Sequence, residues 1–246
     1  MKMFINRTGK WVLNALKLLT IELLIVLVLF FGCLYGAVQL IDEVFIDAEF
    51  TLDQAAIDYV GTIVSPGLTR FFSFITIIGS HHFLIPANLA IMVYAFFIIR
   101  NKWLGIQVMS IALSSLLLMF TLKQIFGRPR PAEPLIERVS GLSFPSGHAF
   151  MSFTFFGLLA FIVFRETKRK WLRYLLMFVF IAIAVLIALS RVYLNVHYTS
   201  DILAGAAMGI MWLVISLVVF HYMEKKKEVL PEVEEPVEIS GDREVE

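Results

Sequence analysis

Six runs of roughly twenty apolar residues divide this chain, at about 18–41, 82–100, 103–126, 146–164, 172–191 and 200–222. A helical run of about 20 apolar residues is what crossing the ~30 Å hydrocarbon core of a bilayer requires. The pattern predicts an all-α polytopic membrane protein, a bundle of six transmembrane helices. One further apolar stretch, around 66–79, holds Arg70 and ends at Gly79-Ser80. It is too short to cross alone and is read as a re-entrant or interfacial helix leading into the second span.

Composition strengthens this reading. Mean hydropathy is +0.82 and 59% of residues are hydrophobic, where a soluble domain is nearer half apolar. The predicted organisation is one membrane unit over 1–222, followed by an acidic tail over 223–246 that has prolines and no apolar period and is read as disordered. The first span follows Lys2, Arg7, Lys10 and Lys17. It is longer than a signal-peptide core and no cleavage site closes it, so it is read as an uncleaved span. The single cysteine, Cys33, allows no disulfide within the chain and no cysteine-based metal site.

Charge sets the expected orientation. With six spans both termini share a side. Up to Lys227 that side carries fourteen Lys and Arg: the four at the N-terminus, Arg100, Lys102, Arg165, Lys168–Lys170, Arg173 and Lys225–Lys227. The opposite side carries six: Arg70, Lys123, Arg128, Arg130, Arg138 and Arg191. It also holds an acidic loop with Asp42, Glu43, Asp47, Glu49, Asp53 and Asp58. The termini are therefore expected to be cytoplasmic and the second face extracytoplasmic. Net charge of +1 gives no support to a nucleic-acid partner.

Three blocks at the second face go beyond what topology requires. Lys123-QIFGRP-Arg130-Pro131 ends the third span. Pro145-Ser146-Gly147-His148 opens the fourth. Ser190-Arg191-VYLNV-His197-YTS-Asp201 joins the fifth to the sixth. Lys123, Arg130 and Arg191 can neutralise a phosphate and fork onto its oxygens. Ser146 is a helix N-cap candidate, Gly147 admits close backbone approach, and the free N–H groups at that helix start suit an anion. His197 and Asp201 are four apart and share a face if helical. The carboxylate can fix the imidazole tautomer and free the other nitrogen for attack. His148, from another loop, can protonate a leaving oxygen. In-line phosphoryl transfer needs these parts: nucleophile and acid on opposite sides, cations between them.

The three blocks, in this order, resemble the signature of the type 2 phosphatidic acid phosphatase superfamily, and the chain is similar to its bacterial membrane branch. The blocks span residues 123–201, and the six-span layout extends the likeness to most of the chain. A fixed four-residue string such as Pro-Ser-Gly-His arises by chance about once in 10⁵ positions, so three blocks in order exclude coincidence. The resemblance implies His197 as nucleophile, Asp201 as its partner and His148 as acid and then base. It implies Lys123, Arg130, Ser146, Gly147 and Arg191 as phosphate holders, with no metal and no other cofactor. Arg128-Pro129 also reads Arg-Pro. Family spacing selects Arg130, which leaves Arg128 as a secondary phosphate or headgroup contact.

The implied activity is a lipid phosphate phosphatase working at the outer leaflet. The resemblance puts phosphatidylglycerophosphate and undecaprenyl diphosphate ahead of phosphatidic acid as substrates. The partners expected are that lipid and the bilayer, with no obligatory protein partner. An anion transporter would need polar residues through several span centres, and these are almost wholly apolar. A phosphotransferase to an acceptor other than water would use the same residues. Ser190 reads equally as a packing or capping residue. His81 and His82 read as interfacial, His221 and Glu22 as bland, and Lys123 also suits a snorkelling position.

Overall fold

A computed structural model describes residues 21–137 and 139–229. Lys2, Arg7, Lys10, Lys17, Arg138, the side chain of Glu22 and the tail beyond 229 lie outside the described residues. The chain forms α1 (Ile21–Phe45), α2 (Thr51–Ile63), α3 (Pro66–Ile78), α4 (His81–Val93, continued by a π turn over Tyr94–Ile98), α5 (Lys102–Phe126), α6 (Gly147–Glu166), α7 (Lys170–Tyr193) and α8 (Thr199–Val229). Six helices are long and apolar enough to span: Leu23–Phe45, His81–Ile98, Lys102–Phe126, Gly147–Glu166, Lys170–Tyr193 and Thr199–Lys226. The all-α six-span expectation therefore holds, and no strand occurs among the described residues. The last helix runs on to Val229, past the expected end of its span near 222.

Local chemistry sets the helix limits. Asn101 caps α5 through the Leu104 amide at 3.0 Å, and Gly127, at φ 61°, ends it in the left-handed region that glycine enters without a Cβ penalty. Ser65 caps α3, whose first residue is Pro66, the position where a missing N–H costs nothing. At 13 residues α3 is too short to cross, as its length in the sequence requires.

The acidic segment differs from expectation. Residues 51–63 are helix α2, not loop. Its charges suggested a solvated loop, yet Asp53, Ile57 and Val60 recur at helical spacing on its less exposed face. Asp53 is only 3% exposed.

The centre of the bundle is α6, packed on α7 and α8. Two glycines one helical turn apart let α8 approach it. A Cβ on Gly205 would lie 2.6 Å from the Ser146 carbonyl oxygen, and one on Gly209 would lie 2.5 Å from that of Phe150. This Gly-x-x-x-Gly spacing is a membrane solution to helix packing, where lipid supplies no hydrophobic drive and close van der Waals contact must do so. The same approach lets the Ser146 amide donate to the Asp201 carbonyl at 2.9 Å. Phe144 and Phe150 are fully buried beside this seam. The seam thus positions the start of α6 against the start of α8.

Gly205→Ala is expected to push α8 from α6, with an overpacking cost of about 1–3 kcal/mol. Thermal unfolding in detergent should show a lower midpoint than wild type. Gly36→Ala, where an added Cβ meets nothing within 4 Å, should show no loss.

Candidate active site

The ends of four spanning helices meet at one level: the C-termini of α5 and α7 and the N-termini of α6 and α8. Two connections knit them. The turn after α7 uses Asn195 at φ 51°, a left-handed conformation asparagine tolerates, to fold back. The amides of Val196 and His197 then donate to the Arg191 carbonyl at 3.2 and 3.3 Å. The long connection from α5 to α6 is tied to this turn. Leu135 N–H donates to the Leu194 carbonyl at 3.0 Å, and Asn195 Nδ2 to the Glu133 carbonyl at 2.8 Å.

These ties bring the three sequence blocks together. His197 is 2% exposed and Asp201 is fully buried. His197 precedes α8 rather than lying on it, yet its Nδ1 still stands 3.4 Å from Asp201 Oδ2. Nδ1 is also 3.2 Å from Ser143 Oγ. On the ring's other side, Arg130 Nη1 is 3.0 Å from Nε2. A guanidinium can only donate, so Nε2 is the acceptor and the proton sits on Nδ1. The tautomer follows from the partners: Nδ1–H faces the carboxylate, and the Nε2 lone pair faces the cations.

Burial pushes the His197 pKa down to about 3. The Asp201 hydrogen bond opposes this, and the Arg130 and Arg191 charges add to it. The ring is therefore neutral at pH 7, and its lone pair, on Nε2, accepts from Arg130.

The cations are held through neutral partners. Lys123 Nζ donates to the Leu142 carbonyl at 2.6 Å. Arg130 donates to the Gly141 and Val196 carbonyls at 3.0 and 2.9 Å. Burial draws the Arg130 guanidinium below its ordinary pKa, with Asp201 opposing. Arg191, 3% exposed, donates to Thr76 Oγ1 at 2.6 Å, and its Nε has no partner. Among the described residues, none of these three cations pairs with a carboxylate. Three positive charges thus converge with no carboxylate in ion-pair contact among the described residues.

The Pro-Ser-Gly-His block supplies the floor. Ser146 Oγ accepts from the Ala149 amide at 3.5 Å, capping α6. A Cβ at Gly147 would lie at an ordinary contact distance of 3.6 Å from Lys123 Cε and would crowd Met119 Sδ at 3.3 Å, so this helix start packs directly against α5. His148, on the first turn of α6, has its Cδ2 at 3.2 Å from the place a Cβ would take on Gly79. It follows Gly147 directly, on the same helix start that Ser146 caps.

Arg128 corrects the sequence reading. It is 7% exposed and does not face the cation cluster as a headgroup contact. Its Nη1 donates to Asp201 Oδ1 at 2.6 Å and its Nη2 to Asp53 Oδ2 at 2.7 Å. A second acidic side chain, Asp53, thus reaches the site from α2. Ser143 and Thr76 were missed as well. Thr76 is a single hydroxyl in an apolar run and Ser143 one of three serines spaced by three, and no spacing rule singles either out. Ser190 donates to the Ile187 carbonyl of its own helix at 2.6 Å. The exposed rings of His81 and His82 lie against each other, 3.9 Å between centroids.

A cavity of about 190 Å³ opens beside Arg130, between Pro131, Pro134, Val139, Gly141 and Val196.

Comparison with known proteins agrees with this arrangement. The PAP2 superfamily matches residues 103–226, which contain all three blocks. Phosphatidylglycerophosphatase B of Bacillus subtilis (strain 168) is 31% identical over 169 residues, covering 67% of this chain and 81% of that protein. An Escherichia coli (strain K12) protein named as a candidate undecaprenyl-diphosphatase is 30% identical over 143 residues, covering 56% of this chain and 68% of its own length. Among solved structures, the transmembrane PAP2-type phosphatidylglycerolphosphate phosphatase from Bacillus subtilis superposes with a TM-score of 0.69. The two are 27% identical, and the match covers 82% of this chain and 96% of that one. Two independent lines, the motif-bearing segment and the whole helical layout, lead to one assignment: the chain belongs to the PAP2 superfamily and is a multi-pass membrane phosphatase of that family.

Proposed function

We propose that this protein is a lipid phosphate phosphatase acting through a phosphohistidine at His197, with phosphatidylglycerophosphate as substrate and phosphatidylglycerol as product. The observation that carries the reading is the pairing of a cation cluster, with no carboxylate in ion-pair contact among the described residues, with a neutral imidazole whose lone pair faces it. Lys123, Arg130 and Arg191 would take the phosphate oxygens, with the free Arg191 Nε one of the donors. Arg130, now on Nε2, would swing its N–H onto a phosphate oxygen and so release the lone pair. Ser146 and Gly147, with the amides at the start of α6, would complete the cradle.

In the first step Nε2 attacks phosphorus. The P–N bond forms, the P–O bond to the lipid breaks, and the leaving oxygen takes a proton from His148. Positive charge that develops on the His197 ring is balanced through Nδ1–H by Asp201. In the second step His148 takes a proton from water, whose oxygen attacks phosphorus. The P–N bond breaks and the electron pair returns to Nε2. No metal enters either step.

The positive-inside bias supports a site at the extracytoplasmic leaflet of the cell membrane, with cytoplasmic termini. The lipid tail would stay in the bilayer while its headgroup enters between the helix ends. Residues 1–222 form the phosphatase unit in this reading. The Escherichia coli relative favours a second substrate, undecaprenyl diphosphate, because the three blocks hold the phosphate and meet the leaving group only at its oxygen, through His148.

His197→Ala should reduce phosphate release by ~10³-fold or more, with the thermal midpoint of the purified protein close to wild type. Full turnover in that variant would refute the mechanism. Activity should survive EDTA; a loss restored by Mg²⁺ would show that a metal takes part. Phosphate release from phosphatidylglycerophosphate should exceed that from undecaprenyl diphosphate in kcat/KM, and the reverse order would select the second substrate.

A further inference from the structure

The Asp201 carboxylate is held from more directions than a hydrogen bond to one imidazole needs. Oδ2 meets His197 Nδ1, accepts from the Tyr198 amide at 2.9 Å and accepts from the Ser143 hydroxyl. Oδ1 accepts from Arg128 Nη1 at 2.6 Å. The same guanidinium reaches Asp53 Oδ2 at 2.7 Å. Asp53 in turn accepts from the Ser200 amide at 2.8 Å and the Ser200 hydroxyl at 2.7 Å. The face of the guanidinium packs on the Tyr198 ring at 4.1 Å from its centroid. The Arg128 carbonyl also accepts the Ser143 amide at 2.7 Å. Arg128 therefore fixes Asp201 twice, at Oδ1 through its side chain and at Oδ2 through Ser143.

We infer that Arg128 and Asp53 form a clamp that sets the orientation of the Asp201 carboxylate, making both of them positioning residues for the reaction at His197. The inference deepens the proposed function and rests on His197 as nucleophile. Its physical basis is the fork of the guanidinium. A planar group with two outward N–H pairs can hold two carboxylates at fixed directions, and an ammonium cannot. Asp53 supplies the second anchor. Without it the Nη2 arm of the fork loses its carboxylate, and Nη1 alone, on Asp201 and on Ser200 Oγ at 2.8 Å, is left to set the angle of the guanidinium. Asp53 lies outside the segment that the family match covers, so this part of the site comes from a helix outside the shared blocks.

The test uses purified full-length protein with dioctanoyl phosphatidylglycerophosphate. Arg128→Lys keeps the charge and loses the fork. Its kcat should fall ~10–100-fold, as for other residues that orient a functional histidine from behind, with KM within about 2-fold of wild type. Arg128→Met/Asp53→Asn removes one cation and one carboxylate. The buried group carries one net negative charge before and after, so the fold is kept, and kcat should fall as in Arg128→Lys. In an Asp201→Asn background the further change Arg128→Lys should cost less than about 2-fold, because the clamp acts through that carboxylate.

Wild-type kcat in a folded variant would overturn the clamp. So would a rise in KM at unchanged kcat, which would make Arg128 a substrate-binding cation. Full additivity with Asp201→Asn, or unfolding of both variants, would reduce the pair to a structural role. His197→Ala is measured alongside. If it is inactive while the Arg128 variants are fully active, the clamp alone fails; if it is active, the clamp and the proposed mechanism fail together.

Discussion

A buried carboxylate must find its partners in the surrounding protein, and at Asp201 that requirement organises the whole site. Its oxygens draw in the His197 ring, the Ser143 hydroxyl, the Tyr198 amide and the Arg128 guanidinium. These groups come from the α5–α6 connection, the α7–α8 turn and the residue itself at the start of α8. An isolated buried charge costs several kcal/mol, so segments far apart in sequence are bound to this point. The same demand fixes chemistry. With Nδ1–H turned toward Asp201 and the Ser143 hydroxyl that Asp201 holds, only Nε2 of His197 can present a lone pair to the cation cluster.

The bilayer explains why the site lies where it does. Within the hydrocarbon core the backbone must satisfy itself, which leaves helices running without interruption. Irregular backbone and unpaired charge are tolerated at the helix ends. Lys123 and Arg191 stand in the last turns of their helices, and Ser146 caps the first turn of another. The glycine seam between α6 and α8 then brings two of those ends within one backbone hydrogen bond of each other. Helix packing in the first turns of α6 and α8 thus sets the register of the groups at their ends.

Much of this was legible in the sequence, and the reasons are physical. Spans are read because their length is dictated by membrane thickness. The Lys-x6-Arg, Pro-Ser-Gly-His and His-x3-Asp spacings are read because the residue types have few other uses beside a membrane. Arg128 was placed wrongly because its partner Asp53 is 75 positions away, on a helix whose charges suggested a loop. No local pattern encodes a pairing of that separation. The Arg-Pro repeat at 128–131 offers two equivalent arginines, and only the fold decides that Arg130 turns to His197 and Arg128 to the carboxylates. Ser143 and Thr76 escaped for a related reason. A single hydroxyl carries no signal until its neighbour is known.

The central claim is covalent, so the most direct measurement is to capture the covalent state. Protein turning over ³²P-labelled substrate is quenched in alkali, which preserves phosphohistidine and destroys acyl phosphates, and the labelled peptide is mapped by mass spectrometry. Label that is stable to alkali, lost in acid and carried by the peptide holding His197 at its Nε2 is the predicted result. Label on His148, on a serine, or on no residue while phosphate release continues would contradict the account.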